Sequence, residues 1–431
     1  MELHFNTTFG YALGLSGLLI AMALRPFILG VVRLLFPPIL TMVWKLRPFP
    51  RLAKRTSDWV TKHLIYRSFL RSRSSVDAYS RAHAMFFASC LAANLCCIFF
   101  QVQSWSEACS RAGTMAMINM LLLYISPCFG FVADILRLPL RIYHQVHASA
   151  GYMVGILASF HAVGTVVTKG GFAVNNIRNL LAVLAMGGIC LLLMPISFFA
   201  RILPYEILLF IHRTMSLMLG YAIWRHLPTK ELFPRLYLYI IGGVFSLAMA
   251  VQTGIALYRS RCRFHRADLS WSSKPIIQVL VRLQSRLKVE PGQYINLWIP
   301  SSLLSTLQIH PFTVASWSPD AAETLVIFAE IRKGFTSSLH HQVRFGDSQS
   351  FAMFTGPHGS RLPVDKYDHV LLVATDLGIV ALLPYLQWLT HAHHAHQLEE
   401  GTNRFKSCRS IHLIWHLCDW GKWSVFSVGP F

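Results

Sequence analysis

The chain has 431 residues, of which 54% are hydrophobic and 13% charged, and its mean hydropathy is +0.46. That is too apolar for a soluble globular protein and predicts a membrane core with a smaller soluble part. A formal charge of +20 would suit nucleic acid if taken alone, but much of the basic charge flanks apolar spans, as in cytoplasmic membrane loops, so no nucleic-acid partner is expected.

In chain order, the start lacks a basic n-region and carries the acidic Glu2, so no cleavable signal is expected. The first apolar span covers about 5–24 and closes at Arg25-Pro26. A proline-bearing stretch at 27–44 reads as interfacial. Segment 33–81 is the strongest cytoplasmic signal, with Lys45, Arg47, Arg51, Lys54, Arg55, Lys62, Arg67, Arg71 and Arg73. It places the N-terminus outside. Further spans are predicted at about 83–103, 113–136, 142–167, 180–200, 207–225 and 236–258. Seven crossings return the chain to the cytoplasm at Arg259, in agreement with the cluster Arg259, Arg261, Arg263 and Arg266. The nine cysteines form no CxxC pair and no zinc spacing, and most read as small core residues.

Two spans carry matched histidines. Thirteen residues separate His147 from His161, and thirteen separate His212 from His226. Fourteen steps at about 100° return to nearly the same helix face after a rise of roughly 21 Å. One span lies between the two pairs, so their helices run parallel. His147 then faces His212 at one depth, and His161 faces His226 at the other. Two such levels suit two stacked b-type haems, each with two axial imidazoles. A single intramembrane histidine often serves as an interhelical hydrogen bonder. Four at matched spacing are hard to explain by packing, because ionisable groups in a bilayer are costly and usually functional. His63, His83 and His144 have no partner at this spacing. The topology puts His147 and His212 near the cytoplasmic leaflet, and His161 and His226 near the outer face. Arg141, Arg213 and Arg225 are equally readable as haem-propionate partners or as snorkelling interface cations.

After Arg259 the hydropathy falls. Residues 276–281, 293–299 and 325–331 read as strands, with turns at Pro291-Gly292 and Ser318-Pro319-Asp320. Many short strands suggest a small barrel. Within it stands His310-Pro311-Phe312-Thr313. Arg332-Lys333-Gly334-Phe335-Thr336 is a cationic turn, suited to a pyrophosphate or to an ordinary surface. Thr355-Gly356-Pro357-His358-Gly359 reads as a tight turn. A strand at 369–374, the turn Asp376-Leu377-Gly378, a helix at 379–389 and a strand at 411–415 look like the opening of a nucleotide-binding βαβ unit. His391, His393, His394 and His396 read as a solvated helix end rather than a metal site.

Together these elements resemble the fungal ferric reductase transmembrane components, of the NADPH oxidase superfamily, over about residues 85–415. The paired histidine gaps are the most specific part. His310, Pro311, Phe312 and Thr313 are similar to the family's flavin motif, which lies along the isoalloxazine and ribityl region of FAD. Gly334 and Thr336 match its flavin pyrophosphate segment. Gly356-Pro357-His358-Gly359 resembles its Gly-Pro-Tyr-Gly turn opening the NADPH domain, so Gly356, Gly359 and, in the following turn, Gly378 are nucleotide candidates. The resemblance implies a multi-pass helical membrane domain of about seven spans at 1–262, with two b haems on His147, His161, His212 and His226. It implies an FAD-binding β-barrel at 263–357 and an α/β NADPH-binding domain at 358–431. Electrons would pass from cytosolic NADPH to Fe(III), or Cu(II), outside and serve iron uptake. Substrates would be ferric chelates or siderophores, a permease or ferroxidase a partner, and the site the plasma or vacuolar membrane. Two departures stand out. Asp376 occupies a position where the family commonly has glycine. The chain also stops at Phe431, and about seventy residues hold too few strands for a doubly wound sheet, so an incomplete NADPH domain is expected. A superoxide-generating oxidase is the alternative in the same superfamily. Its one-residue-shorter second gap and lack of an extra N-terminal span weigh against it. An inactive truncated haem protein is the alternative outside that chemistry.

Overall fold

The computed structural model describes residues 7–35, 55–67, 80–125, 129–136, 138–170, 175–194, 203–228, 232–259, 264–273, 276–301, 309–344, 346–398 and 408–417. The chain forms two compact units, Met1–Met194 with Met215–Ser246, and Pro195–Thr214 with Leu247–Phe431.

The first unit is helical. It contains α1 (Thr7–Leu35), α2 (Arg81–Phe99), α3 (Trp105–Tyr124), α4 (Phe129–Ile135), α5 (Leu140–Lys169) and α6 (Ile177–Leu192). It also takes the later part of α7 (Tyr205–His226) and the earlier part of α8 (Leu232–Arg259). Side-chain caps start three of these helices: Ser80 accepts from His83 N–H, Ser104 from Glu107 N–H, and Asn176 from Arg178 N–H. Gly170, at φ +67°, ends α5. Small residues let α3 and α5 approach closely: a Cβ at Gly113 would collide with His161, and one at Gly164 with Cys109. Around this pair lies a core that includes Ile98, Ala112, Met115, Met153 and Leu157. Polar groups inside it are satisfied by one another. Asn119 Nδ2 donates to Asn94 Oδ1 at 2.8 Å, Asn94 Nδ2 to Tyr11 Oη at 3.2 Å, and Tyr11 Oη to Asn119 Oδ1 at 3.2 Å.

Among the described residues, five stretches are long and apolar enough to cross a membrane: Thr7–Arg25, Arg81–Phe99, Leu140–Lys169, Tyr205–His226 and Pro234–Ile255. They coincide with five of the seven expected spans. The other two differ. Instead of one span at 113–136 there are α3 and the short α4. α3 starts earlier because Ser104 caps it and because Arg111, paired with Glu107 at 2.6 Å, also donates to Phe100 O at 2.6 Å. Those satisfied charges are tolerated near the helix start. Instead of 180–200 the described helix is α6, sixteen residues long. Nor does the first helix stop at Arg25-Pro26, since α1 continues to Leu35. The rest of the expected interfacial stretch, most of the basic segment, and residues 195–200 lie outside the described residues.

In the second unit, six antiparallel strands form one sheet in the order β4-β3-β6-β1-β2-β5. They are β1 (His265–Ser273), β2 (Ile276–Leu287), β3 (Tyr294–Trp298), β4 (His310–Thr313), β5 (Ala322–Glu330) and β6 (Ser348–His358). The sheet curls, because its two edges meet: just beyond β4, Ala315 N–H donates to Val326 O of β5 at 2.8 Å. Alternate residues point inward, as in Ala267, Leu269, Val279 and Val281. Phe335, Leu339 and Val343, spaced by four on α9 (Phe335–Val343), close the core from one end. The expected strands appear here, β2 and β5 with longer bounds, and β1, β4, β6 and α9 are additions. The 355–359 stretch is corrected: it is the end of a strand rather than a tight turn. Thr355 pairs with Asn296 and His358 with Tyr294, and the register slips between them at a bulge.

Beyond this sheet, β7 (His369–Thr375) and β8 (Ser410–His416) pair in parallel. A 3₁₀ turn, Asp376–Ala381, precedes α10 (Leu383–Leu398), so the helix begins later than the expected 379. Tyr385, Trp388 and Leu389 of α10 cover Val370 and Leu372 of β7. On the opposite face Leu371 and Val373 are exposed.

Candidate functional site

In the helical unit the geometry selects one histidine pair. His161 Nδ1 lies 2.7 Å from Cys109 O. His226 Nδ1 lies 3.2 Å from Arg178 O. A carbonyl oxygen only accepts, so each Nδ1 is placed to donate, which in the neutral ring leaves the lone pair on Nε2. That is how a metal-ligating histidine is normally oriented. The two rings also lie within electrostatic reach of each other. His147 is half-buried on α5 in the same unit. His212 is half-buried on α7 and belongs to the second unit. The carbonyls of Cys109 and Arg178 had no sequence signal, since any residue supplies one. His83, which has no match at the histidine spacing, meets Ser149 Oγ at 3.2 Å. Among the described residues no three His, Cys, Asp or Glu side chains converge on a metal position.

A second constellation lies on the curled sheet. His310 sits on β4, opposite Leu297, and its ring stacks on Phe335 at 4.2 Å and 10°. It is buried, and burial pushes its pKa below the usual histidine value, while the nearby Glu206 carboxylate acts the other way. Its Nε2 has no hydrogen-bond partner among the described residues. Pro311 is exposed, and Phe312 and Thr313 are half-buried. Gly334 is the N-cap of α9 at φ +94°. Thr336 Oγ1 accepts from Arg332 N–H at 2.8 Å and closes the loop before the helix. Phe335 N–H donates to Glu206 Oε1 at 2.7 Å, a contact no sequence pattern suggested.

The third set lies at the end of β6 and after β7. Gly356 at φ +122° and Gly359 at φ +85° adopt backbone angles that favour glycine. Gly378 is exposed, with open space where a Cβ would stand. Asp376 adopts a left-handed φ of +44°, and Trp415 Nε1 donates to its carbonyl at 2.9 Å. Of the four clustered histidines, His391 packs edge-on against Trp317 at 5.4 Å.

Apolar helices followed by a curled sheet with a glycine-opened helix define a membrane protein with a flavin-type domain. Residues 261–361 match the family described as FAD-binding domain. The chain is homologous to ferric reductase transmembrane components of Saccharomyces cerevisiae. It is 29% identical over 185 residues to Ferric/cupric reductase transmembrane component 2, covering 41% of this chain and 24% of that one. It is 31% identical over 182 residues to Ferric reductase transmembrane component 4, again covering 41% and 24%. The chain thus spans about a quarter of the length of these curated relatives. Among solved structures, phthalate dioxygenase reductase aligns at 16% identity with a TM-score of 0.28, covering 37% of this chain and 46% of that one.

Proposed function

We propose that the chain is a transmembrane ferric-chelate reductase, which takes electrons from cytosolic NADPH and delivers them to Fe(III), and to Cu(II), on the outer side for iron uptake. The observation that carries this reading is the His161–His226 pair, whose Nδ1 protons are committed to backbone carbonyls and whose Nε2 lone pairs are kept. The match of residues 261–361 to an FAD-binding domain supports it from the other side.

When bound, FAD supplies hydride acceptance with release of electrons one at a time, and two b haems supply a relay through a hydrocarbon core of about 30 Å. The chain's own residues fit these groups. His161 and His226 would present Nε2 to one iron, and His147 and His212 would serve the other. His310, with its unpartnered buried Nε2, would flank the flavin together with Pro311, Phe312 and Thr313. Gly334 and Thr336 shape the helix start that would receive its pyrophosphate. Gly356, Gly359 and Gly378 would line the approach of NADPH. In this reading the domains run 1–262, 263–357 and 358–431, the N-terminus is outside, and the plasma membrane is the primary location, with the vacuolar membrane as the other. Ferric chelates or siderophores are the substrates, and a permease or ferroxidase takes the product.

The test is ferric-chelate reduction at the surface of intact cells, together with a bis-histidine haem spectrum of the purified chain. His147→Ala and His226→Ala should each remove activity and change the spectrum. Variants that keep both would end the proposal.

A further inference from the structure

The start of α9 is already held by an anion. Glu206, in the first turn of α7, is only 8% exposed, and its Oε1 accepts the Phe335 N–H at 2.7 Å. Gly334 leaves room for it, because a Cβ at that position would overlap the carboxylate. Free N–H groups at a helix start attract negative charge, and a carboxylate there makes a charge-assisted bond. Of the two cations in the preceding turn, Arg332 and Lys333, Arg332 is engaged by Glu330 at 2.6 Å. The resemblance of Gly334 and Thr336 to a flavin pyrophosphate segment directs a second anion to the same donors. One N–H cannot serve both, and like charges at contact distance repel.

We propose that Glu206 is the resident occupant of the flavin pyrophosphate site and must be displaced when flavin loads. Seating of the first turn of α7 on the flavin-type sheet and binding of the pyrophosphate then exclude one another. His212 lies six residues further along α7, about 9 Å of rise, so the displacement acts on the helix assigned to a haem. The inference rests on the flavin reading above and adds to it a determinant of flavin affinity on a membrane helix.

The experiment titrates FAD into the full-length, flavin-free chain in detergent and follows the quenching of flavin fluorescence. Glu206→Gln removes the charge and keeps the shape. Glu323→Gln, at the exposed pair with Arg286, removes an equal charge elsewhere. The Kd for FAD should fall about three- to tenfold in Glu206→Gln and stay at the parent value in Glu323→Gln. Unchanged or weaker binding by Glu206→Gln, beside a parent chain that binds, overturns the proposal. If no form binds FAD, the parent included, the flavin reading itself fails. Should Glu206→Gln not fold, Glu206→Asp, one methylene too short to hold the same bond, carries the same expectation and the same contrary result.

Discussion

His161 Nδ1 lies 2.7 Å from the carbonyl oxygen of Cys109, across the closely packed helices α5 and α3. The bond fixes the ring's tautomer and leaves Nε2 as the only ligand atom. Gly113 makes it possible, because a Cβ there would stand 2.9 Å from Nδ1. Gly113→Leu should therefore swing the ring aside and remove the haem assigned to this level. Pyridine haemochrome analysis of the purified chain should fall from about two haems to about one. Full haem content in Gly113→Leu would count against His161 as a ligand.

The ring formed by Tyr11, Asn94 and Asn119 should contribute measurably to stability. Asn94 is fully buried and Asn119 nearly so. Interhelical hydrogen bonds in lipid average about 0.6 kcal/mol each. Asn119→Leu breaks two of the three and leaves the buried Asn94 and the half-buried Tyr11 each short of a partner, so a loss of about 1–2 kcal/mol is expected. Tyr11→Phe breaks two with almost no change in volume. Thermal unfolding in detergent should show the double variant losing less than the sum of the singles. Strict additivity would mean that the three groups do not act as a ring.

How much of this was legible follows from what each signal encodes. The histidine spacing is a property of one helix at a time, so α5 and α7 were legible as apolar helices that each carry one of the two histidine pairs. The carbonyls that orient those rings come from other helices and leave no sequence trace. The strands β2, β3 and β5 were visible as apolar runs. β1 escaped because Arg266, Asp268 and Ser270 alternate with its buried residues and lower its hydropathy, although the alternation itself was a usable signal. β6 was hidden because Gly356 looks like a turn, whereas its positive φ makes a bulge inside a strand. Glu206 was out of reach for another reason. Its partner, the Phe335 N–H, lies 129 residues away and belongs to the backbone.

Acid should destabilise the second unit. His265 on β1 and His310 on β4 are both buried. Burial pushes each below the ordinary value of 6.5, opposed at His310 by the Glu206 carboxylate. A depressed folded pKa means that the unfolded chain binds more protons as the pH falls. The stability is therefore fully present above 6.5 and declines as the pH drops through that value toward the lower folded values. The thermal midpoint of the full chain should be lower at about pH 5.5 than at about pH 7.5, and His265→Phe should flatten part of that slope. A midpoint that rises on acidification contradicts the assignment.

Asp376 offers a test that separates conformation from charge. Its φ of +44° lies in the left-handed region, which aspartate tolerates and β-branched residues do not. Asp376→Val should cost about 1–2 kcal/mol, whereas Asp376→Gly should be neutral or stabilising by up to about 1 kcal/mol. If the turn after β7 receives the phosphates of NADPH, the carboxylate opposes them. Asp376→Gly should then lower the KM for NADPH several-fold while leaving kcat in place. Asp376→Asn keeps the left-handed tolerance and drops the charge, so it should lower KM to the same extent. A lowered KM in the glycine variant alone would assign the effect to the backbone. No change in either would place the phosphates elsewhere.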